Sequence, residues 1–193
     1  MKHLEYFLLL FFILLNINTY SQRFKGSILA GLSTSQIDGD NQYKYKKLGL
    51  FAGVSVATEF SEVMGGKIEL YYIEKGAKKI VGGIEEFKTK LHYVEMPFLL
   101  TIKPIDRFEF DIGMAISYLI SAKLIQQGSE VPDGLYDMHN FDFGGIASAS
   151  YFFSNNVGIN IRVFYSIFAI KNNPNWYNSN LSFGLGYKIN NSK

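Results

Sequence analysis

The sequence is poor in the residues that mark several classes of protein. Its 193 residues include no cysteine, 4 prolines, 3 histidines and 1 tryptophan. Without cysteine, the chain forms no disulfide scaffold and cannot carry the lipidated cysteine of a lipoprotein. The net charge of +2 is too small to indicate a nucleic-acid partner, and we predict none. Asp38, Asp40 and Asn41 offer oxygen ligands, but an Asx-rich turn explains them better, so we predict no metal ion and no cofactor.

A long apolar run is also missing. The apolar segment 6–15 follows Lys2 and His3, and is well short of the ~20 residues that a membrane-spanning helix needs. Thr19 and Ser21 place small residues where a signal peptidase requires them. We therefore predict a signal peptide over 1–21, Sec-type export, and a single domain over 22–193.

Aromatic residues, by contrast, are abundant. The chain has 17 Phe and 13 Tyr, and 48% of its residues are hydrophobic. This composition favours aromatic-rich strands over a helical bundle. Apolar and polar residues alternate with period two in eight segments bounded by turn residues. These segments cover 24–35, 48–60, 63–75, 89–102, 107–121, 141–153, 157–169 and 179–189.

The two faces of these strands differ in a way that indicates a membrane. In the fifth segment the even positions from Phe108 to Ile120 are large and apolar, whereas the odd positions from Arg107 to Ser117 are charged or small. Small residues with charges of both signs suit a narrow polar lumen, and the apolar face then meets lipid. We predict an all-β fold: an eight-stranded antiparallel up-and-down transmembrane β-barrel in the outer membrane. The predicted lumen charges are Glu59, Lys67, Glu69, Glu95, Glu109, Asp111, Asp142 and Arg162.

The connections alternate in length, as they do in outer-membrane barrels. Long connections are predicted at 36–47, 76–88, 122–140 and 170–178, and short ones at 61–62, 103–106 and 154–156. Long loops outside and short turns inside place both termini in the periplasm. Pro97 lies in the middle of the fourth strand, where it cannot donate to the ladder, so we predict a local bulge or a bent edge there, with a weak seam between strands as the alternative.

Several motifs, taken in order, resemble one family. They include Gly-Leu-Ser-Thr-Ser at 31–35, Glu-Leu-Tyr-Tyr-Ile-Glu-Lys-Gly at 69–76 and Tyr-Val-Glu-Met-Pro at 93–97. With these segments the chain resembles the PorT-like outer-membrane β-barrel family of Bacteroidota over the whole of 22–193. The resemblance implies an eight-stranded barrel and little chemistry. It also suggests an accessory link to protein export by the type IX secretion route.

Groups suited to catalysis are sparse. The histidines after residue 21 are His92, expected on the lipid-facing side, and His139, near Asp137 and Asp142. An enzyme acting on lipid or peptide would need such groups gathered at the outer rim. We predict a non-enzymatic protein with a structural or accessory role in the cell envelope. A barrel enzyme and a conduit for small ligands or ions remain the alternatives.

The long connections offer contacts to partners. A lysine run in the first long connection suits the phosphates of lipopolysaccharide, and an aromatic residue in the last one suits a protein. The loop contact candidates are Lys44, Lys46, Lys47 and Trp176. The expected partners are outer-membrane lipid and lipopolysaccharide, together with envelope or secretion proteins.

Overall fold

A computed structural model describes residues 24–40, 45–81, 84–132, 135 and 137–189 of the chain. The predicted signal peptide and Lys44 lie outside these residues. All regular structure in the described ranges is β-structure. The strands are β1 (Lys25–Asp38), β2 (Lys47–Glu59), β3 (Met64–Val81), β4 (Ile84–Ile102), β5 (Phe108–Gln126), β6 (Ser129–Val131), β7 (Phe141–Phe152), β8 (Val157–Ser166) and β9 (Tyr177–Ile189).

The long strands close into a ring. Each pairs antiparallel with the next in the chain, and β9 returns to pair with β1 from Gly26↔Ile189 to Asp38↔Tyr177. β6 is a three-residue strand that pairs with the end of β5 and takes no place in the ring. The predicted eight-stranded antiparallel up-and-down barrel is confirmed. Closure gives every strand in the ring a paired neighbour on each side, so no strand is left as the edge of an open sheet.

Alternation sorts the side chains between the inside and the outside of the ring. In β8 the residues Ile159, Ile161, Val163 and Tyr165 are exposed, whereas the residues between them are buried. A belt of exposed apolar side chains surrounds the barrel in this way. On β5 the belt runs from Phe108 to Ile120, which is roughly 30 Å along the barrel axis for a tilted strand. That height matches the hydrocarbon layer of a membrane.

The two ends of the barrel are built differently. The turn end carries the start of β1, the end of β9 and three tight connections, at 60–63, 103–107 and 153–156. Ser61 Oγ accepts a hydrogen bond from the Met64 N–H at 3.1 Å, and Ser154 Oγ accepts one from the Val157 N–H at 3.0 Å. These serine side chains fix the turns locally. The loop end carries the other connections.

One predicted long loop is instead a hairpin. The connection predicted over 76–88 is largely strand, because β3 continues to Val81 and β4 begins at Ile84. Ion pairs across the two strands stabilise it, at 2.6 Å for Lys78–Glu85 and 2.8 Å for Lys79–Glu86. The loop prediction was wrong because charge in this segment indicated solvent exposure, which a protruding hairpin has as fully as a loop.

Pro97 interrupts a ladder without producing a bulge. The register between β3 and β4 reaches Ile68↔Phe98 and resumes unchanged at Tyr71↔Glu95. With β5, Pro97 keeps the regular pairing Pro97↔Ala115. The predicted bulge at Pro97 is therefore wrong. The missing N–H costs a ladder contact with β3 only, and the paired neighbours on either side hold the register.

Candidate functional site

The lumen is the main polar feature of the molecule, and side chains from opposite walls meet in it. Near the turn end, Asp111 of β5 accepts hydrogen bonds from Lys67 Nζ at 2.9 Å, Thr101 Oγ1 at 2.7 Å and Ser148 Oγ at 2.8 Å. Lys188 of β9 reaches Glu109 at 2.6 Å. Thr101 and Ser148 lie on the two strands next to β5, whereas Lys67 and Lys188 reach β5 from strands that do not pair with it, so these two lysines brace the barrel from within.

The middle of the lumen holds a buried ion pair. Arg162 Nη1 of β8 lies 2.7 Å from Glu69 Oε2 of β3, on the far wall. Both side chains are almost completely buried, and the guanidinium carbon lies 5.2 Å from the centre of the Tyr71 ring. A pair removed from water in this way requires good geometry to offset its desolvation.

A second buried cluster lies towards the loop end and is centred on Lys75. Its Nζ is 2.5 Å from Glu95 Oε2, 3.8 Å from Asp142 Oδ2 and 3.3 Å above the Phe164 ring. Glu95 also accepts hydrogen bonds from Tyr71 and Ser117. Asn178 Nδ2 donates to Asp142 at 2.8 Å. The Lys75 ammonium group is thus shared between the Glu95 and Asp142 carboxylates, and all three side chains are buried from water.

Our sequence reasoning did not select Lys75 as a lumen charge, although the signal was present. Lys67, Glu69, Tyr71, Ile73 and Lys75 share one parity along β3, and Lys67 and Glu69 were already predicted to face inward. Extending the period-two pattern six residues beyond Glu69 reaches Lys75. The predicted strand ended there, so the residue was treated as the edge of a loop.

Apolar side chains close the loop end above this cluster. Ala77 and Leu91 of the β3–β4 hairpin pack with residues of the other connections in one buried cluster, which we call the cap. The connection between β5 and β7 contributes Leu135 and Met138, and that between β8 and β9 contributes Ile170 and Trp176. A hydrophobic cap is a stable closure because it removes apolar surface from water at the mouth of the barrel.

The predicted lumen charges fall into two groups. Glu59 lies at the exposed turn-end rim, where it pairs with Lys25 at 2.7 Å and with Lys103 at 2.5 Å. The others point into the lumen and are buried or nearly so. They are Lys67, Glu69, Glu95, Glu109, Asp111, Asp142 and Arg162.

The described loop contact candidates also divide. Lys46 is exposed. Lys47 is instead 4% exposed within β2, because it shares the inward parity of Gly49 and Phe51. Trp176 is 9% exposed, because its ring fills the cap. Neither Lys47 nor Trp176 therefore presents the free loop surface that its sequence position suggested.

Among the described residues, the histidines and carboxylates that the sequence offered for catalysis do not form one hydrogen-bonded group. His139 Nδ1 lies 2.9 Å from the carbonyl oxygen of Ala169, and Asp142 is buried beside Lys75. Asp137 is bonded to Lys171, whose ammonium holds the pKa of that carboxyl below its usual range. His92 lies on the outer surface, hydrogen-bonded to Tyr72 and 3.9 Å from Glu74.

A small cavity occupies the turn-end part of the lumen. Its volume is about 70 Å³, and its walls include Glu59, Lys67, Arg162 and Lys188. A space of this volume is large enough for a few water molecules. Within the described ranges, no group of three or more histidine, cysteine, aspartate or glutamate side chains is placed to hold a metal ion, and no helix is both long and apolar enough to cross a membrane.

A closed antiparallel ring with an outer apolar belt and a charged lumen defines a transmembrane β-barrel of the outer-membrane type. The chain belongs to the family described as outer membrane protein beta-barrel domain, whose sequence profile matches residues 13–172. It is accordingly an integral outer-membrane β-barrel protein.

Solved structures show the same fold. Ail, the attachment invasion locus protein of Yersinia pestis, is 15% identical, with a TM-score of 0.54 over 86% of this chain and 98% of that one. Neisserial surface protein A is also 15% identical, with a TM-score of 0.58 over 85% of this chain and 97% of that one. A comparison with curated protein sequences finds no match. At this identity the likeness concerns the fold alone.

Proposed function

We propose that the protein is a non-conducting, non-enzymatic barrel that serves the cell envelope through its surfaces. The observation that carries this proposal is the occupied lumen. Arg162 and Glu69 bridge its middle, Lys75 and Phe164 meet above them, and the cap covers the loop end. An eight-stranded ring has an interior just wide enough for its own side chains, which supports a structural rather than a transport role.

The proposal includes an orientation. The tight turns, the start of β1 and the end of β9 lie at one end of the barrel, and outer-membrane barrels place that end in the periplasm. In this orientation the cap and the β3–β4 hairpin lie on the side of the outer membrane that faces the cell exterior. A signal peptide over 1–21 agrees with export across the inner membrane.

We assign the surfaces an accessory role, with outer-membrane lipid, lipopolysaccharide and other envelope proteins as partners. The resemblance to the PorT-like family supports type IX secretion as the process to test first. In vivo crosslinking of the tagged protein in native outer membranes should capture secretion components reproducibly. The same tag on an unrelated barrel is the control, and recovery of only lipid and abundant porins would remove the link to secretion.

Because side chains fill the lumen, we also make a prediction about ion conductance. Planar bilayers into which the purified barrel has been inserted should show no reproducible unitary conductance, because buried side chains bridge the lumen at more than one height. Protease protection confirms insertion, and a porin in the same bilayer confirms sensitivity. Reproducible conductance steps would overturn the non-conducting assignment and favour the small-ligand or ion conduit.

A further inference from the structure

The wall of the barrel has a lateral seam at the loop end, between β2 and β3. These strands pair from Glu59↔Gly65 to Phe51↔Ile73. Beyond that pair, β2 continues to Lys47 beside β1, whereas β3 continues to Val81 beside β4. Leu50 N–H donates to Glu74 Oε2 at 3.4 Å across the seam. A side chain thus takes the place of the backbone ladder.

A buried ammonium group lies beside this seam. Lys47 is 4% exposed, and its Nζ donates to the carbonyl oxygen of Leu48 at 3.0 Å. No carboxylate among the described residues lies within 4 Å of it. A buried charge without a counter-ion is costly, so an anion from outside the chain would be stabilising here.

Cations outnumber carboxylates around the seam. The charged groups close enough to Lys47 for an electrostatic interaction are Glu74, Lys88 and Lys90. The charged groups that interact electrostatically with His92 are Glu74, Lys47, Lys90 and Lys123. Lys88 and Lys123 have carboxylate partners of their own, at 3.4 Å and 3.0 Å. Lys90, like Lys47, has no ion pair within the described ranges, so the field at the seam attracts an anion.

The seam also lies at the edge of the apolar belt. Leu48 is 74% exposed and Leu50 56%, and both point outward from β2 beside it. Tyr72 and Val94 end the belt on β3 and β4, and the next outward residues are Glu74 and His92. A ligand in this position meets apolar side chains on its membrane side and ammonium groups on its aqueous side. Phosphorylated lipids have this distribution of polarity.

We propose that the seam between β2 and β3 binds the phosphate of a membrane lipid headgroup through Lys47 and Lys90, with Glu74 as the competing carboxylate of the chain itself. The ligand class is a phosphorylated glycolipid or phospholipid of the leaflet at the loop end. The inference rests on the orientation given above. It goes beyond the accessory role by naming the lipid chemistry and the residues.

The test uses the full-length barrel in detergent, titrated with diphosphoryl lipid A and followed by native mass spectrometry. Lys90→Gln should bind the lipid about fivefold more weakly, as expected for one exposed charge pair. Glu74→Gln should bind it about fivefold more tightly, because the competing charge is removed while a side-chain oxygen remains to accept from Leu50. Lys79→Gln, the same substitution on the other face of the hairpin, should stay within about twofold of wild type. Circular dichroism establishes that each variant is folded.

Three results would overturn the site. They are equal binding of lipid A stripped of its phosphates, a loss of affinity for Lys79→Gln as large as that for Lys90→Gln, and weaker binding by Glu74→Gln. Inorganic phosphate titrated alone should bind far more weakly than the lipid, and equal affinity would mark a free-anion site instead. Because purified protein is used, the outcome is independent of the crosslinking and conductance tests of the proposed function.

Discussion

At the scale of single residues, Lys75 is the central side chain of the buried charge cluster. It is fully buried, and its ammonium joins Glu95, Asp142 and the face of Phe164. Low local polarity strengthens each of these contacts and equally raises the cost of losing any of them. Lys79, four residues along the same strand, forms an exposed ion pair with Glu86. The two lysines therefore provide a matched comparison of buried and exposed charge.

Removing the Lys75 charge should destabilise the barrel strongly. We expect Lys75→Met to lower the free energy of unfolding by about 3–5 kcal/mol, since Glu95 is left buried without its partner. Adding Glu95→Gln should restore much of that loss. Denaturant unfolding in lipid vesicles measures both, with Lys79→Met as the control expected to change by less than about 1 kcal/mol. Equal midpoints for Lys75→Met and Lys79→Met would contradict the buried cluster.

At the scale of elements, the β3–β4 hairpin connects the wall of the barrel to the cap. Its inner face buries Ala77 and Leu91, and its outer face carries Lys78 and Lys90. Gly76 has a φ of +136°, a conformation that side-chain-bearing residues rarely adopt. A Cβ at this position would lie 2.0 Å from the carbonyl oxygen of Thr89. The glycine therefore lets the hairpin continue past the point where β3 leaves β2.

Gly76→Ala should loosen the hairpin and leave the rest of the barrel in place. We expect a local cost of about 1–3 kcal/mol from the strained backbone. Amide hydrogen exchange in peptides covering 84–91 should accelerate accordingly. Gly145→Ala is the control, because a Cβ there meets no atom within 4 Å. Unchanged exchange at 84–91 in Gly76→Ala would show that the hairpin does not depend on this glycine.

At the scale of the whole molecule, closure of the ring produces two unlike ends. The turn end has short connections and carries the start of β1 and the end of β9, whereas the loop end is covered by the cap. Charges that are far apart in sequence, such as Arg162 and Glu69, meet only because the ring brings β8 opposite β3. The interior is therefore a property of the closed barrel and belongs to no single strand.

The proposed orientation can be tested by labelling, because the chain contains no native cysteine. Lys46→Cys at the loop end should react with a membrane-impermeant maleimide in intact cells. Glu62→Cys, exposed in a turn at the opposite end, should react only after the outer membrane has been permeabilised. Labelling of Glu62→Cys but not Lys46→Cys in intact cells would reverse the orientation.

The class of fold follows from the amino-acid sequence alone. Alternation from Phe108 to Ile120 is local and has period two, so it indicates which face of a strand is apolar without knowledge of its neighbours. Turn residues such as Ser61 and Ser154 mark the tight connections for the same local reason. Local chemistry was enough to predict eight strands and most of the charges that point inward.

The pairing of those charges and the closure of the barrel, by contrast, depend on three-dimensional packing. The Lys75 cluster and the Arg162–Glu69 pair depend on which walls face each other, and this is set by strand tilt and register around the ring. The same holds for 76–88, where a loop and a protruding hairpin have the same charged composition. The burial of Lys47 and Trp176 likewise follows from how β2 and the cap pack. A pattern of period two carries no information about such packing.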